Sequence, residues 1–325
     1  MLMVVFAHVE IYSFFNFGPD TGLTKFISIS HMPLFFFLSG LCIYKPNHNY
    51  ALNKIRKDFC RLVIPAFVVG FIYTNFNISF LEDNMKAGYW FTLSLFEMLL
   101  IYYVLSNVIR NDKTIFTLCL WCLAIVFYVI RIPLRWNDSI CYVANCFSLH
   151  QTFCYFIFFC LGITVARYKV KFDRLLETDL LKTLILLTVL LLSYFLLVHT
   201  PKFSMDTFGW RTLETLTHTF IGVFGTLLYY ILFKYYIDFD SSGIVGRGML
   251  LIGKNTLSIY LLHYFFLPSL PSIGIYLNSH PGVVVEVLLG LLFSIIIIVA
   301  CFILKKIITT SHFIARLLLG QKDAS

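Results

Sequence analysis

Charge is what this chain has least of. Asp, Glu, Lys and Arg make up 13% of its 325 residues, against about 25% in a soluble domain. Hydrophobic residues make up 59%, so a water-soluble fold could not cover its own surface. The usual sequence marks of soluble enzyme chemistry are also missing. There is no glycine-rich phosphate loop, no HExxH, no GxSxG and no metal-ligand set. No internal repeat or low-complexity tract interrupts the chain, and no loop could hold a soluble domain. The first apolar segment lacks a basic n-region and a small-residue cleavage site, so it reads as a span rather than a cleaved leader.

What is present is apolar and aromatic. Phe occurs 35 times and Tyr 19 times, a load that suits rings in lipid and at the headgroup level. A helix needs roughly 20 apolar residues to cross the hydrocarbon. On that scale the chain predicts an all-α polytopic bundle of about ten transmembrane helices. The predicted spans are 1–17, 27–45, 62–80, 89–109, 114–131, 150–166, 180–199, 213–236, 250–267 and 283–304. One membrane domain therefore covers 1–319, with a short polar tail at 320–325. With the N-terminus inside, all Lys and Arg except Lys25, Lys86, Arg131, Arg135, Lys202 and Arg211 fall on the cytoplasmic side. That bias predicts an integral inner-membrane protein with both termini cytoplasmic. The net charge of +8 reflects this bias and does not point to nucleic acid.

The nine Cys lie mostly in apolar segments, where Cys behaves as a small hydrophobe. Cys119 and Cys122 form a CxxC inside an apolar helix, with no second pair beside it. Cys141 and Cys146 share one non-cytoplasmic loop, where a disulfide is conceivable.

Ionisable groups inside spans are costly, so each is a site hypothesis. His8 stands in the run Met1–Val9, followed by Glu10. A neutral imidazole can take a proton from a hydroxyl; the alternative is a packing His. His31 opens HMPLFFFLSG, where Pro33 bends or starts a helix. Ser39-Gly40 is small enough to let another helix approach. Glu97 sits in GYWFTLSLFEMLLIYY and needs a partner, whether a His, a substrate hydroxyl or a neighbouring helix. Lys54, Arg56, Lys57 and Arg61 form the densest basic run. They either anchor the chain or bind an anionic ligand such as a nucleotide phosphate or lipid headgroup. His150, His199 and His218 read as structural, and His263, a lone His about two turns into its segment, is not diagnostic.

Five segments, in order, resemble the acyltransferase 3 family, and most closely its fucose 4-O-acetylase-like sugar O-acetyltransferases. They are Val4–His8, His31–Gly40, the basic loop leading to Arg61–Pro65, Trp90–Leu93 and Ile252–His263. The resemblance implies an O-acetyltransferase using acetyl-CoA as donor substrate, with no bound cofactor and no metal. A sugar, lipid-linked glycan or surface polysaccharide would be the acceptor, and membrane lipids the surroundings. His8 matches the family's essential His and would act as general base or transient acyl carrier. Glu10, His31 or Glu97 would orient it, and Lys54, Arg56, Lys57 and Arg61 would contact the CoA phosphates. Family members carry an Arg upstream of that His, farther than this chain reaches. The first span, about 17 residues, covers only about 25 Å. Both features predict a stretch preceding Met1. Two other classes fit the composition: a glycan or lipid transporter or flippase, and a non-catalytic partner in glycan assembly. No pair of Gly/Pro-broken segments occupies corresponding halves, as an inverted-repeat transporter would show.

Overall fold

A computed structural model describes residues 1–15, 22–45, 50, 52–109, 113–131, 138–176, 183, 186–187, 189–191, 208–236, 243–280 and 282–321. The predicted span 180–199 and its His199 lie mostly or wholly outside these residues, as do Arg135, Lys202 and most of the tail. The described residues are predominantly helical and contain no strand.

The helices run in chain order. α1 (Leu2–His8) continues into a π-type turn, Val9–Ser13. α2 (Gly22–Ile43) passes straight through Pro33, which therefore lies inside the helix rather than at its start. α3 (Leu52–Tyr73), α4 (Trp90–Val108), α5 (Lys113–Ile130), α6 (Asp138–Cys146), α7 (Leu149–Arg167) and α8 (Lys169–Leu176) follow. Then come α9 (Phe208–Ile231), α10 (Ile244–Lys254), α11 (Thr256–Leu262), α12 (Pro271–Ser279), α13 (Val283–Ile308) and α14 (His312–Leu319).

Four stretches are long and apolar enough to cross a membrane: Trp90–Val108, Leu149–Arg167, Thr215–Tyr235 and Val283–Ile308. A fifth is added if Thr256–Phe266 and Pro271–Ser279 form one broken span. Leu2–Ser13, Ile29–Ile43 and Thr114–Ile130 are apolar but shorter. α3 falls short for a different reason: Lys54, Arg56, Lys57, Asp58 and Arg61 fill its first half. The chain is thus a helical membrane protein with four to five candidate spans among the described residues, against ten expected. Its apolar exterior agrees, since Leu292, Ile296, Val299, Ile303 and Ile307 of α13 are all exposed. Facing water, such a surface would be strongly unfavourable; facing lipid, it costs nothing.

The chain divides into two compact units: Met1–Leu38, Tyr168–Lys254 and Leu267–Ile295 form the first, and Ser39–Arg167, Asn255–Phe266 and Ile296–Ser325 the second. In the first, Leu190, Ile221 and Leu228 form a buried cluster with Ile29, Phe224 and Leu232 around it. The Phe37 ring meets Tyr230 edge-on, with centroids 5.7 Å apart, and Lys234 pairs with Asp173 of α8. The π-type turn is tied to the start of α12, where the Leu270 N–H donates to the Ser13 carbonyl at 2.8 Å.

In the second unit α7 packs on both α4 and α5, while α3 packs on α4 and α14. Gly40 lies against the α7 backbone, and a Cβ there would strike the Phe159 carbonyl. Gly320 ends α14 in a left-handed turn (φ 59°) and presses on the Arg61 backbone. Only glycine meets both demands without strain. Cys141 and Cys146 are free thiols, as are Cys119 and Cys122, so no disulfide joins the first pair.

Candidate functional site

His8 is the last residue of α1, where α-helix gives way to the π-type turn. Such turns insert a residue, re-aim side chains and recur at functional sites. His8 is half-buried, and the Tyr12 ring meets it edge-on, with centroids 5.6 Å apart. Glu10 follows two positions later, and residues so spaced do not share a helix face. Its side chain turns to α13 instead, where Oε1 would lie 3.0 Å from a Cβ built on Gly290. Glu10 is 3% exposed, and that oxygen has no hydrogen-bond partner. The Ser13 hydroxyl is likewise buried without one.

A second carboxylate shares this neighbourhood. Glu286, in the first turn of α13, is 1% exposed and lies within electrostatic reach of Glu10. It stands four residues before Gly290 and eight before Ser294, so all three lie on one buried stripe. Sequence reading missed Glu286. The signal was present, because it is an ionisable residue at the head of the most apolar helix. His31, buried on α2, sets its Nδ1 2.7 Å from the Ile27 carbonyl, an arrangement that leaves Nε2 to act as acceptor in the neutral ring. Its neighbour Ser30 hydrogen-bonds Tyr229 of α9. His8, Glu10, His31 and Glu286 all belong to the first unit.

Glu97 and the basic run belong to the second. Lys54, Lys57 and Arg61 recur at i, i+3 and i+7 on α3, which puts them on one face, with Arg56 on another. Arg56, Lys57 and Arg61 are exposed. Lys54 is already engaged: its Nζ pairs with Asp58 at 2.7 Å, and Tyr103 donates to the other Asp58 oxygen at 2.5 Å. Asp58 is thereby satisfied although buried. Glu97 accepts from the Thr152 hydroxyl at 2.6 Å, while its Oε1 is buried without a partner.

Lys86, one of the six cations that the charge bias sets on the non-cytoplasmic side, is 2% exposed. Its ammonium donates to the carbonyls of Leu81, Asp83 and Asn145 at 2.7, 2.6 and 2.6 Å. Burial pushes its amine below the usual lysine range, opposed by Cys146, Asp83 and Glu97. His263 is fully buried, with Nδ1 2.8 Å from the Tyr260 carbonyl. Tyr260 in turn donates to the Gly88 carbonyl at 2.8 Å and accepts from the Phe91 N–H at 3.2 Å. The IGKNTLSIYLLH segment thus secures the start of α4. Among the described residues no group of three or more His, Cys, Asp or Glu could hold a metal ion.

Residues 1–305 match the sequence model of the acyltransferase 3 family, described as an acyltransferase domain. The chain belongs to that family. No curated protein and no solved structure matches it. The acyltransferase 3 match runs through both units and takes in His8, Glu10, His31, the basic run, Glu97 and Glu286. The family and the apolar helices together make this chain a membrane acyltransferase.

Proposed function

We propose that the chain is an O-acetyltransferase that moves acetyl from acetyl-CoA to a hydroxyl of a sugar, lipid-linked glycan or surface polysaccharide. One membrane domain, 1–319, carries the activity. It lies in the inner membrane as about ten spans, with both termini and the 320–325 tail cytoplasmic. The observation that carries the reading is His8, which ends α1 at the π-type turn of a chain matched to the family almost end to end.

Neutral His8 takes the acceptor's hydroxyl proton while that oxygen bonds to the thioester carbon. The tetrahedral intermediate collapses, the C–S bond breaks, and the imidazolium returns the proton to the CoA thiolate. In the alternative order, His8 first takes the acetyl group and then passes it on. Glu10, His31 and Glu97 remain the candidates for orienting the reacting groups. Of these, Glu10 and His31 share the unit of His8. Arg56, Lys57 and Arg61 project from α3, where a donor's phosphates find accessible cations; Lys54 can join them with the ammonium N–H groups that its Asp58 pair does not use. No cofactor is needed beyond this donor substrate, and no nucleic acid is involved. A transporter reading would draw on the broken pair Thr256–Phe266 and Pro271–Ser279; the family match favours transfer.

Membranes containing the chain, given radiolabelled acetyl-CoA and a host glycolipid extract, should deposit label in an alkali-labile ester. His8→Ala should abolish this at equal protein level. Undiminished labelling by the variant removes His8 from the mechanism.

A further inference from the structure

A second constellation, in the unit without His8, has the marks of a ligand site. Trp90, Ser94 and Glu97 recur on α4 at i, i+4 and i+7, so they share one face. On α7, Tyr155 shares a face with Thr152 at i+3 and with Gln151 at i+4, so Gln151 and Thr152 flank it on either side. The two faces meet. Thr152 donates to Glu97, and the Trp90 and Tyr155 rings stack with centroids 5.5 Å apart and 20° between planes. The turn before α4 closes the end of this contact. Ser148 Oγ donates to the Asn84 carbonyl at 2.8 Å, Gln151 Nε2 reaches Met85 Sδ at 2.9 Å, and Lys86 bonds Asn145.

What these contacts leave over is a set of oxygens. Glu97 Oε1, Asn84 Oδ1, Gln151 Oε1 and Ser94 Oγ are all buried without a hydrogen-bond partner. Buried polar atoms ordinarily find partners, so four orphans on α4, on α7 and in the turn bonded to α7 call for an explanation. The backbone here is also strained: Lys86, Ala87 and Ser148 have φ of 49°, 50° and 51°. Non-glycine residues in that region cost free energy and gather at ligand sites.

The chemistry of the orphans selects the ligand. Two are pure acceptors, the Asn84 and Gln151 amide oxygens, and the Glu97 and Ser94 oxygens can accept, so the ligand must bring donors. An anion brings only acceptors and meets the Glu97 carboxylate. A bound cation is not called for, because Lys86 already lies within electrostatic reach of Glu97. A polyol brings several O–H donors, and its C–H surface suits the aromatic wall of Trp90 and Tyr155.

We propose that this α4–α7 contact, beneath the turn at 84–86, is the subsite for the carbohydrate acceptor. Glu97, Asn84 and Gln151 accept from its hydroxyls. The ligand enters by displacing the exposed Met85 from Gln151. Naming the ligand as the acceptor rests on the acetyltransferase reading above.

The test uses the full chain in lipid nanodiscs, with radiolabelled acetyl-CoA and the glycolipid fraction of host membranes as the acceptor. Glu97→Gln, nearly isosteric, and Gln151→Leu should each raise the acceptor KM about tenfold or more. The KM for acetyl-CoA should stay within about twofold. An unchanged acceptor KM in both variants, or equal rises in both KM values, overturns the subsite while leaving the transferase reading standing. Wild-type chain that transfers nothing overturns the transferase reading, and the subsite with it.

Discussion

Gly290 on α13 links packing to chemistry, and enlarging it should disable the enzyme without replacing any group of the site. A Cβ at that position would lie 2.9 Å from Phe6 Cδ2 and 3.0 Å from Glu10 Oε1, and closer still to Phe6 Cε2. Carbon atoms settle at about 3.5–4.0 Å, so the Phe6 ring edge nearest the new Cβ must retreat by roughly 1–1.5 Å. Phe6 is 3% exposed and has little room in which to turn aside. The retreat therefore falls on the seven-residue α1 as a body, and His8 stands two positions after Phe6 on that helix. Overpacking of this kind costs about 1–3 kcal/mol, which a membrane-embedded chain can survive. Misplacing a catalytic group by about 1 Å can cost about 100-fold in rate. Gly290→Ala should lower kcat by about tenfold and Gly290→Val by about 100-fold, with membrane levels near wild type by immunoblot. The readout is label transferred from acetyl-CoA per unit of inserted protein. Gly290→Val within about twofold of wild type would show that α13 does not hold α1 in its working position.

Two further perturbations probe other parts of the account. The double variant Lys57→Ala/Arg61→Ala should raise the KM for acetyl-CoA by about tenfold or more, because charge-assisted bonds to phosphate are each worth about 1.5–3 kcal/mol. Added salt should narrow the gap, and an unchanged KM would leave these cations as membrane anchors. Lys86→Met should destabilise the turn before α4 by about 3 kcal/mol or more, since three carbonyls lose one ammonium donor together. Limited proteolysis near Asp83 reads this directly, and unchanged cleavage would refute the staple.

Class and family were legible because they rest on bulk properties and on short segments read in order. Low charge, heavy aromatic content and apolar runs need no tertiary information, and HMPLFFFLSG with the segment around Tyr260 is locally distinctive. The helix boundaries were less legible. α3 mixes four cations and Asp58 into its first turns, and the stretch at 250–267 breaks into α10, α11 and a short 3-10 turn ending at Phe266. Hydropathy averages over such breaks. His8 was visible through its motif, but its place at an α-to-π junction was not, since nothing in Val9–Ser13 announces the extra residue. Glu286 escaped because a carboxylate at a span end reads as interfacial until Glu10 is brought beside it. The turn at 84–88 was the least legible of all. Positive φ is usually marked by glycine, and Gly88 marks it here at φ 98°, but Lys86 and Ala87 just before it adopt it too. The constraint comes from tertiary partners, the carbonyls around Lys86 and the Tyr260 and Tyr264 side chains packed on Gly88, which no local pattern records.

The most direct test of the central claim compares wild type with His8→Ala in matched membranes, using radiolabelled acetyl-CoA and the host glycolipid extract. The account predicts alkali-labile labelled glycan from wild type and none above background from His8→Ala, with both proteins inserted equally. Equal labelling by the two would contradict it.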